Sequence, residues 1–146
     1  MKCIIILLFS TFCMHSQSLS DVQKNYTYAV KNKQICKQMI TYLEKENNSS
    51  LTLGYLGAYQ AVWANHAINP FQKLNTFSKG KKNIEEAIKK DSKNVELRYL
   101  RYSIQKNAPG FLNYKNNIEE DLKYLKENLS KIKDSLLIPN LSELLK

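Results

Sequence analysis

The segment Leu51–Phe71 constrains the fold of this chain more than any other, because the helix that it predicts has two faces of different kinds. One face, at helical spacing, carries only residues without bulk beyond Cβ: Gly54, Gly57, Ala58, Ala61 and Ala64. The adjoining face carries larger side chains at steps of three and four, which is typical of a core helix: Leu56, Tyr59, Trp63 and His66. The small face allows a second helix to approach closely. Asn69 and Pro70 then predict a tight corner, since Asn suits an N-cap and Pro suits the first helical position.

Apolar periodicity predicts helices in the rest of the chain as well. They cover about 21–46, 51–67, 95–107 and the region from 117 onward, with a helix from residue 70 that ends near 91–94 and a short last helix from Pro139 to Leu145. Ser20 and Gln23 resemble a capping box at the start of the first helix. No segment alternates apolar and polar residues for long enough to predict a strand, so we expect an all-α protein.

The helix expected from residue 117 has the most regular apolar pattern in the chain. Its apolar residues alternate between steps of four and three: Ile118, Leu122, Leu125, Leu129, Ile132 and Leu136. We interpret this face as part of the core of a monomer. A homodimer seam is the alternative.

The first residues predict a secretory signal peptide. A single Lys2 precedes the apolar run Cys3–Phe9, which is too short to span a bilayer, and small residues follow at Ser16 and Ser18. We therefore expect residues 1–18 to be removed, leaving one domain at 19–146 in an exported protein. A retained membrane anchor is one alternative. Lipidation of Cys13 is another, although Phe12 stands where a lipoprotein signal has a small residue.

Cysteine and charge point to no special chemistry. Cys36 is the only cysteine after the predicted signal, so no internal disulfide is expected, and its place in an apolar helical pattern favours an inert side chain over a reactive thiol. The net charge of +9 comes from lysines scattered among Asp and Glu, which is typical of a solvated surface. Attraction to anionic lipids or cell-wall polymers is the alternative, and nucleic acid is not an expected partner of an exported protein.

The sequence contains no catalytic or metal-binding motif. His66 is the only histidine after the signal, and pairs such as His-x-x-x-His or Cys-x-x-Cys do not occur. We expect His66 to pack or to cap its helix beside Trp63, and Glu119–Asp121 to compensate a helix dipole. No enzyme activity, metal or cofactor is expected. A small enzyme that uses His66 is the alternative.

Arg98 and Arg101 are the only arginines among 22 basic residues, which indicates a requirement for the planar guanidinium group. Both have candidate internal partners, which would fix the corner between helices: Glu85, Glu86, Glu119, Glu120 and Asp121. The competing hypothesis is a binding groove in which they hold an acidic group of a partner. The candidate binding residues of that groove are Arg98, Arg101, Tyr102, Gln105, Trp63 and His66.

Two sets of residues resemble those of known protein families. Gly80, Ile84, Ala87, Ser92 and Asn94 resemble the second helix and turn of a tetratricopeptide repeat (TPR), and Leu56-Gly57 resembles the start of its first helix. Several further segments resemble a family of small uncharacterised exported proteins of Gram-negative bacteria: Tyr55–Ala58, Asn69–Phe71, Glu96–Arg101, Asn107–Pro109 and Asn117–Asp121. The TPR resemblance implies antiparallel helix pairs stacked as a short right-handed solenoid or bundle, with about five helices plus a short C-terminal helix, and commonly a concave binding surface.

The functional hypothesis is therefore a non-catalytic protein-interaction or scaffold module of the bacterial envelope, in the periplasm or outside the cell. Its partner is expected to be another envelope protein or a peptide. The alternative partner is an anionic membrane surface or cell-wall polymer, bound through the basic surface.

Overall fold

The computed structural model describes residues 17–46 and 48–132, and this part of the chain is all-helical, which confirms the predicted fold class. Its α-helices are α1 (Leu19–Ala29), α2 (Lys33–Lys45), α3 (Ser50–His66), α4 (Pro70–Lys90), α5 (Val95–Asn107) and α6 (Ile118–Glu127). Two short 3-10 helices, Gly110–Leu112 and Leu129–Ile132, follow α5 and α6. None of these helices combines the length and apolarity needed to cross a bilayer.

Successive helices run antiparallel, so that α1, α3 and α5 point the same way. His66 Nε2 lies 2.7 Å from the Ala29 carbonyl oxygen, which places the ends of α3 and α1 together. The Tyr26 hydroxyl of α1 lies 3.0 Å from Ser103 Oγ of α5. Both residues are in the C-terminal halves of their helices, as expected for parallel helices. The connections 30–32, 67–69 and 108–117 therefore meet at one end of the bundle, which we call the corner end. The winding of the helix pairs into a right-handed solenoid stays a prediction.

The prediction of a first helix at 21–46 is wrong in two respects. It is two helices, because the Asn32 side chain accepts hydrogen bonds from the amides of Gln34 and Ile35 and begins α2 as its N-cap. The capping box also lies two residues earlier than predicted. Ser18 and Asp21 form it, and not Ser20 and Gln23.

The small face of α3 packs against α4 and α5 as the sequence predicts. The backbones of α3 and α4 meet at Gly57 and Gly80, where a Cβ added to Gly80 would lie 2.5 Å from the Gly57 carbonyl oxygen. A Cβ added to Gly54 would overlap the side chain of Leu97 on α5. Residues 53–62 of α3 are all buried, so this helix forms the centre of the bundle.

The predicted heptad pattern of the last helix does not continue as one α-helix. The chain leaves α-helical geometry at Asn128, whose side chain donates a hydrogen bond to the Tyr124 carbonyl. Leu125 is fully buried, whereas Leu129 is 42% exposed. Leu136, the short helix expected at Pro139–Leu145 and most of the signal segment lie outside the described residues. Homodimerisation through this pattern stays a prediction.

Candidate functional site

An apolar groove opens at the corner end of the bundle. It has a volume of about 580 Å³, and α1, α3, α4, α5 and the first 3-10 helix all contribute to its walls. Val62, Phe77 and Ile104 are buried residues of the floor, while Val30, Leu74 and Phe111 are exposed at the rim. Its volume lies within the range of ligand-binding sites, about 300–1,000 Å³.

Large apolar side chains on the rim and in the neighbouring corner are exposed to solvent. Phe111 is 80% exposed and Leu74 is 49% exposed. Phe71, one helical turn before Leu74, is 82% exposed, and Ile68 in the corner is 90% exposed. Apolar side chains gathered at one end of a protein indicate an interaction surface.

The polar groups of the groove floor satisfy one another. Ser103 Oγ donates to the Leu100 carbonyl oxygen at 2.9 Å, so the Tyr26 hydroxyl is the donor in its 3.0 Å hydrogen bond to Ser103 Oγ. Burial raises the pKa of Tyr26, which keeps this hydroxyl protonated. Neither hydroxyl is therefore left to donate to a ligand, so an acceptor group such as a carboxylate finds no hydroxyl donor beside them.

None of the acidic side chains among the described residues lines the groove. The sequence has no Asp or Glu in 22–43, 47–84 or 97–118, and these three stretches contain the connections that meet at this end. Lys73 and Lys106 line the groove. Among the described residues, none forms an ion pair with Lys73, and the Lys106 ammonium lies 5.7 Å from the centre of the Tyr102 ring. The groove therefore lies in a region of positive potential.

The two arginines belong to a polar network that joins α4, α5 and α6. Arg101 holds Asp121 with two hydrogen bonds of 2.7 Å and donates a third, of 3.0 Å, to Glu85. Arg98 donates to Asp121 at 2.8 Å and to Glu120 at 2.6 Å. Asp121 is fully buried, and its charge is compensated by these two arginines.

The arginines and the carboxylates of this network stabilise each other's charged forms. Burial alone would lower the pKa of Arg101, but its hydrogen bonds and the charges of Asp121 and Glu85 outweigh that effect and raise it. The hydrogen bond from Arg98 lowers the pKa of Glu120. Both arginines thus make the internal pairs that the sequence suggested.

The predicted binding residues do not line the groove. Tyr102 and Gln105 are buried, and neither they nor the two arginines contribute to the walls of the groove. The Gln105 amide nitrogen approaches Asn117 Oδ1 at 3.5 Å. A binding role for these four residues stays a prediction. The groove residues Lys73, Leu74 and Phe111 were missed, and the acid-free stretches of sequence were the signal that could have indicated them.

Trp63 and His66 fix the end of α3 against its neighbours. The centres of the His66 and Trp63 rings are 6.0 Å apart, and His66 Nε2 is hydrogen-bonded to the Ala29 carbonyl oxygen of α1. The Lys33 ammonium of α2 lies 5.4 Å from the Trp63 ring centre. Neither ring lines the groove. The described residues contain no group of three His, Cys, Asp or Glu side chains able to hold a metal ion.

Cys36 is expected to be unreactive in the folded chain. Its side chain is fully buried with Sγ 3.4 Å from the Tyr59 carbonyl oxygen, and burial raises the pKa of the thiol from 9.0 to about 12. At pH ~8 the thiolate fraction is then about 1,000-fold lower than in the unfolded chain. Mass spectrometry of the Cys36 peptide after iodoacetamide treatment should show this difference between native and urea-unfolded protein. Equal rates in both states would contradict the burial of Cys36.

Comparison with models of known protein families, with curated proteins and with solved structures finds no match to this chain. The resemblance to TPR proteins and to small exported bacterial proteins therefore stays a prediction. The groove and the charges around it are the features from which a function can be inferred.

Proposed function

We propose that this chain is a non-catalytic binding protein whose corner-end groove takes an apolar segment of a partner protein. The observation that carries the proposal is the combination of an apolar floor with a rim of exposed apolar side chains. A partner segment would bury both at once. Burial of apolar surface contributes about 25 cal/mol per Å², which makes the rim a substantial source of affinity.

The shape of the groove favours a protein segment over the other candidate ligands. A small molecule held on the floor leaves Phe71 and Phe111, which are 82% and 80% exposed, still in water. A bilayer surface is flat on this scale, so it covers those rings but leaves the recess unfilled. A peptide segment with projecting side chains fills the recess and covers the rim, as in the helix-in-groove mode of recognition.

The predicted export of the chain suggests where its partner would be found. An exported chain meets partners in the bacterial envelope, and the expected partner is an envelope protein or a peptide derived from one. The resemblance to helix-pair repeats supports the same class of function, because stacked helix pairs commonly bind peptides on a concave surface.

The proposal is tested by replacing two rim residues. Peptides are first selected from a random phage-displayed library against the full chain, and their binding is measured by fluorescence anisotropy. The double variant Leu74→Ser/Phe111→Ser is expected to weaken binding at least ~10-fold, which corresponds to about 1.4 kcal/mol. Because both side chains are exposed, stability should change by no more than about 0.5 kcal/mol.

The matched control replaces apolar residues that are exposed at the opposite end. Leu19 and Leu129 are 37% and 42% exposed, and the double variant Leu19→Ser/Leu129→Ser removes comparable apolar side chains outside the groove. Peptide affinity should stay within ~2-fold of the starting protein. Equal loss of binding in the two double variants would show that the peptides do not occupy the groove.

A further inference from the structure

We infer that the partner segment is acidic, with its apolar side chains on the groove floor and its carboxylates beside Lys73 and Lys106 at the rim. This inference rests on the proposed function and adds to it the chemical class of the partner. Three observations carry it. They are the saturated polar groups of the floor, the position of the two lysines and the distribution of acidic residues over the bundle.

The floor determines which part of the ligand lies deepest. Tyr26 and Ser103 use their hydroxyl protons within the chain, so a carboxylate placed there would lose its hydration without gaining a hydroxyl donor. Such a loss costs several kcal/mol. A charged group of the partner must therefore lie at the rim, where water and the lysines reach it.

The rim lysines stand on two different walls of the groove. Lys73 lies in the first turn of α4, and Lys106 lies in the last turn of α5. An apolar segment lying between these walls has its flanks beside both lysine side chains. Carboxylates on either side of the apolar residues are therefore placed to pair with Lys73 and Lys106.

None of the described carboxylates lines the groove to attract a basic partner. The acidic residues of the described chain occur only at position 21 and within 44–46, 85–96 and 119–127. Helix directions place position 21, residues 44–46 and Glu96 at the opposite end. Hydrogen bonds with Arg98 and Arg101 hold Glu85, Glu120 and Asp121 outside the groove. Charges interact over about 10 Å at ~0.1 M salt, so the corner end attracts acidic segments and repels basic ones.

The test first measures the charge of the selected peptides. It then asks whether replacing the two lysines with glutamates removes the preference for acidic peptides. Peptides enriched on the full chain should combine apolar or aromatic residues with more Asp and Glu than Lys and Arg. The variant Lys73→Glu/Lys106→Glu should bind the best of these peptides at least ~10-fold more weakly, and a repeated selection on it should remove the acidic excess. Raising salt from ~0.05 M to ~0.3 M should also weaken binding to the unaltered chain.

The control changes the same net charge outside the groove. Lys45 and Lys126 are exposed lysines in the last turns of α2 and α6. The variant Lys45→Glu/Lys126→Glu should keep peptide affinity within ~2-fold, because charges beyond a Debye length are largely screened. An equal effect of both double variants would mean that net charge, and not these two lysines, selects the peptides, and would overturn the inference.

The remaining outcomes separate this inference from the proposed function. If the Leu74→Ser/Phe111→Ser variant loses binding but the selected peptides have no acidic excess, the partner is apolar and only the inference fails. If acidic peptides bind that variant unchanged, they bind outside the groove and both statements fail. Both also fail if no peptide is enriched while phosphatidylglycerol vesicles, but not phosphatidylcholine vesicles, bind the chain through Phe71 and Phe111.

Discussion

Replacing Arg101 with methionine should lower the free energy of unfolding by about 4 kcal/mol, because it leaves a buried carboxylate without its main partner. Asp121 is fully buried, and Arg101 supplies two of its hydrogen bonds at 2.7 Å. Arg98 remains at 2.8 Å, but that single bond satisfies only one of the carboxylate oxygens. Glu85 also loses its hydrogen bond from Arg101 and keeps the one from Tyr114.

Urea unfolding of the variants measures this effect and its origin. The double variant Arg101→Met/Asp121→Leu should be more stable than Arg101→Met alone, because it removes the buried charge together with its partner. Arg101→Lys should be intermediate, since an ammonium group cannot make the paired hydrogen bonds of a guanidinium. A double variant no more stable than Arg101→Met would show that the loss comes from packing and not from the uncompensated charge.

The same variants distinguish the two roles that the sequence suggests for the arginines. Arg98→Lys/Arg101→Lys should unfold at a lower urea concentration and bind the selected peptides with unchanged affinity, because neither residue lines the groove. Normal stability with lost peptide binding would instead support the ligand-binding hypothesis.

The central part of the fold could be predicted from the sequence because its signals are local. The two faces of Leu51–Phe71 indicate a buried helix with a close neighbour, and the structure has both at α3. Val95–Asn107 has the bounds that Asn94 and Pro109 suggest. The break at Asn32 was missed because an apolar pattern can continue in register through a short interruption, so periodicity alone could not show it.

The groove could not be predicted in the same way because it depends on which helix ends meet. Phe71, Leu74 and Phe77 follow one another at helical spacing, yet only Phe77 is buried. Periodicity indicates the side of a helix that faces the core, but it does not show how far the neighbouring helices extend along it. The three acid-free stretches are visible in the sequence, but only the alternating helix directions bring their connections to one end.

Replacing Gly80 with alanine is the other change with a large expected effect, a loss of about 3 kcal/mol in the free energy of unfolding. The new Cβ would lie 2.5 Å from the Gly57 carbonyl oxygen and 2.7 Å from the Ala61 nitrogen. Both contacts are with backbone atoms, so rotation of a side chain cannot relieve them and α3 must move away from α4. Alanine favours a helix by about 1 kcal/mol over glycine, which offsets only part of this cost.

Gly110→Ala is the matched control, because a Cβ at that position meets nothing within 4 Å. It should change stability by no more than about 0.5 kcal/mol. Gly57→Ala should destabilise about as much as Gly80→Ala, since its Cβ would lie 2.6 Å from the Gly80 carbonyl oxygen. Because one helix separation relieves both overlaps, the double variant should lose less than the sum of the single losses. Additive losses in urea unfolding would mean that the two glycines act at separate contacts, and a stabilised Gly80→Ala would mean that α3 and α4 do not meet through their backbones.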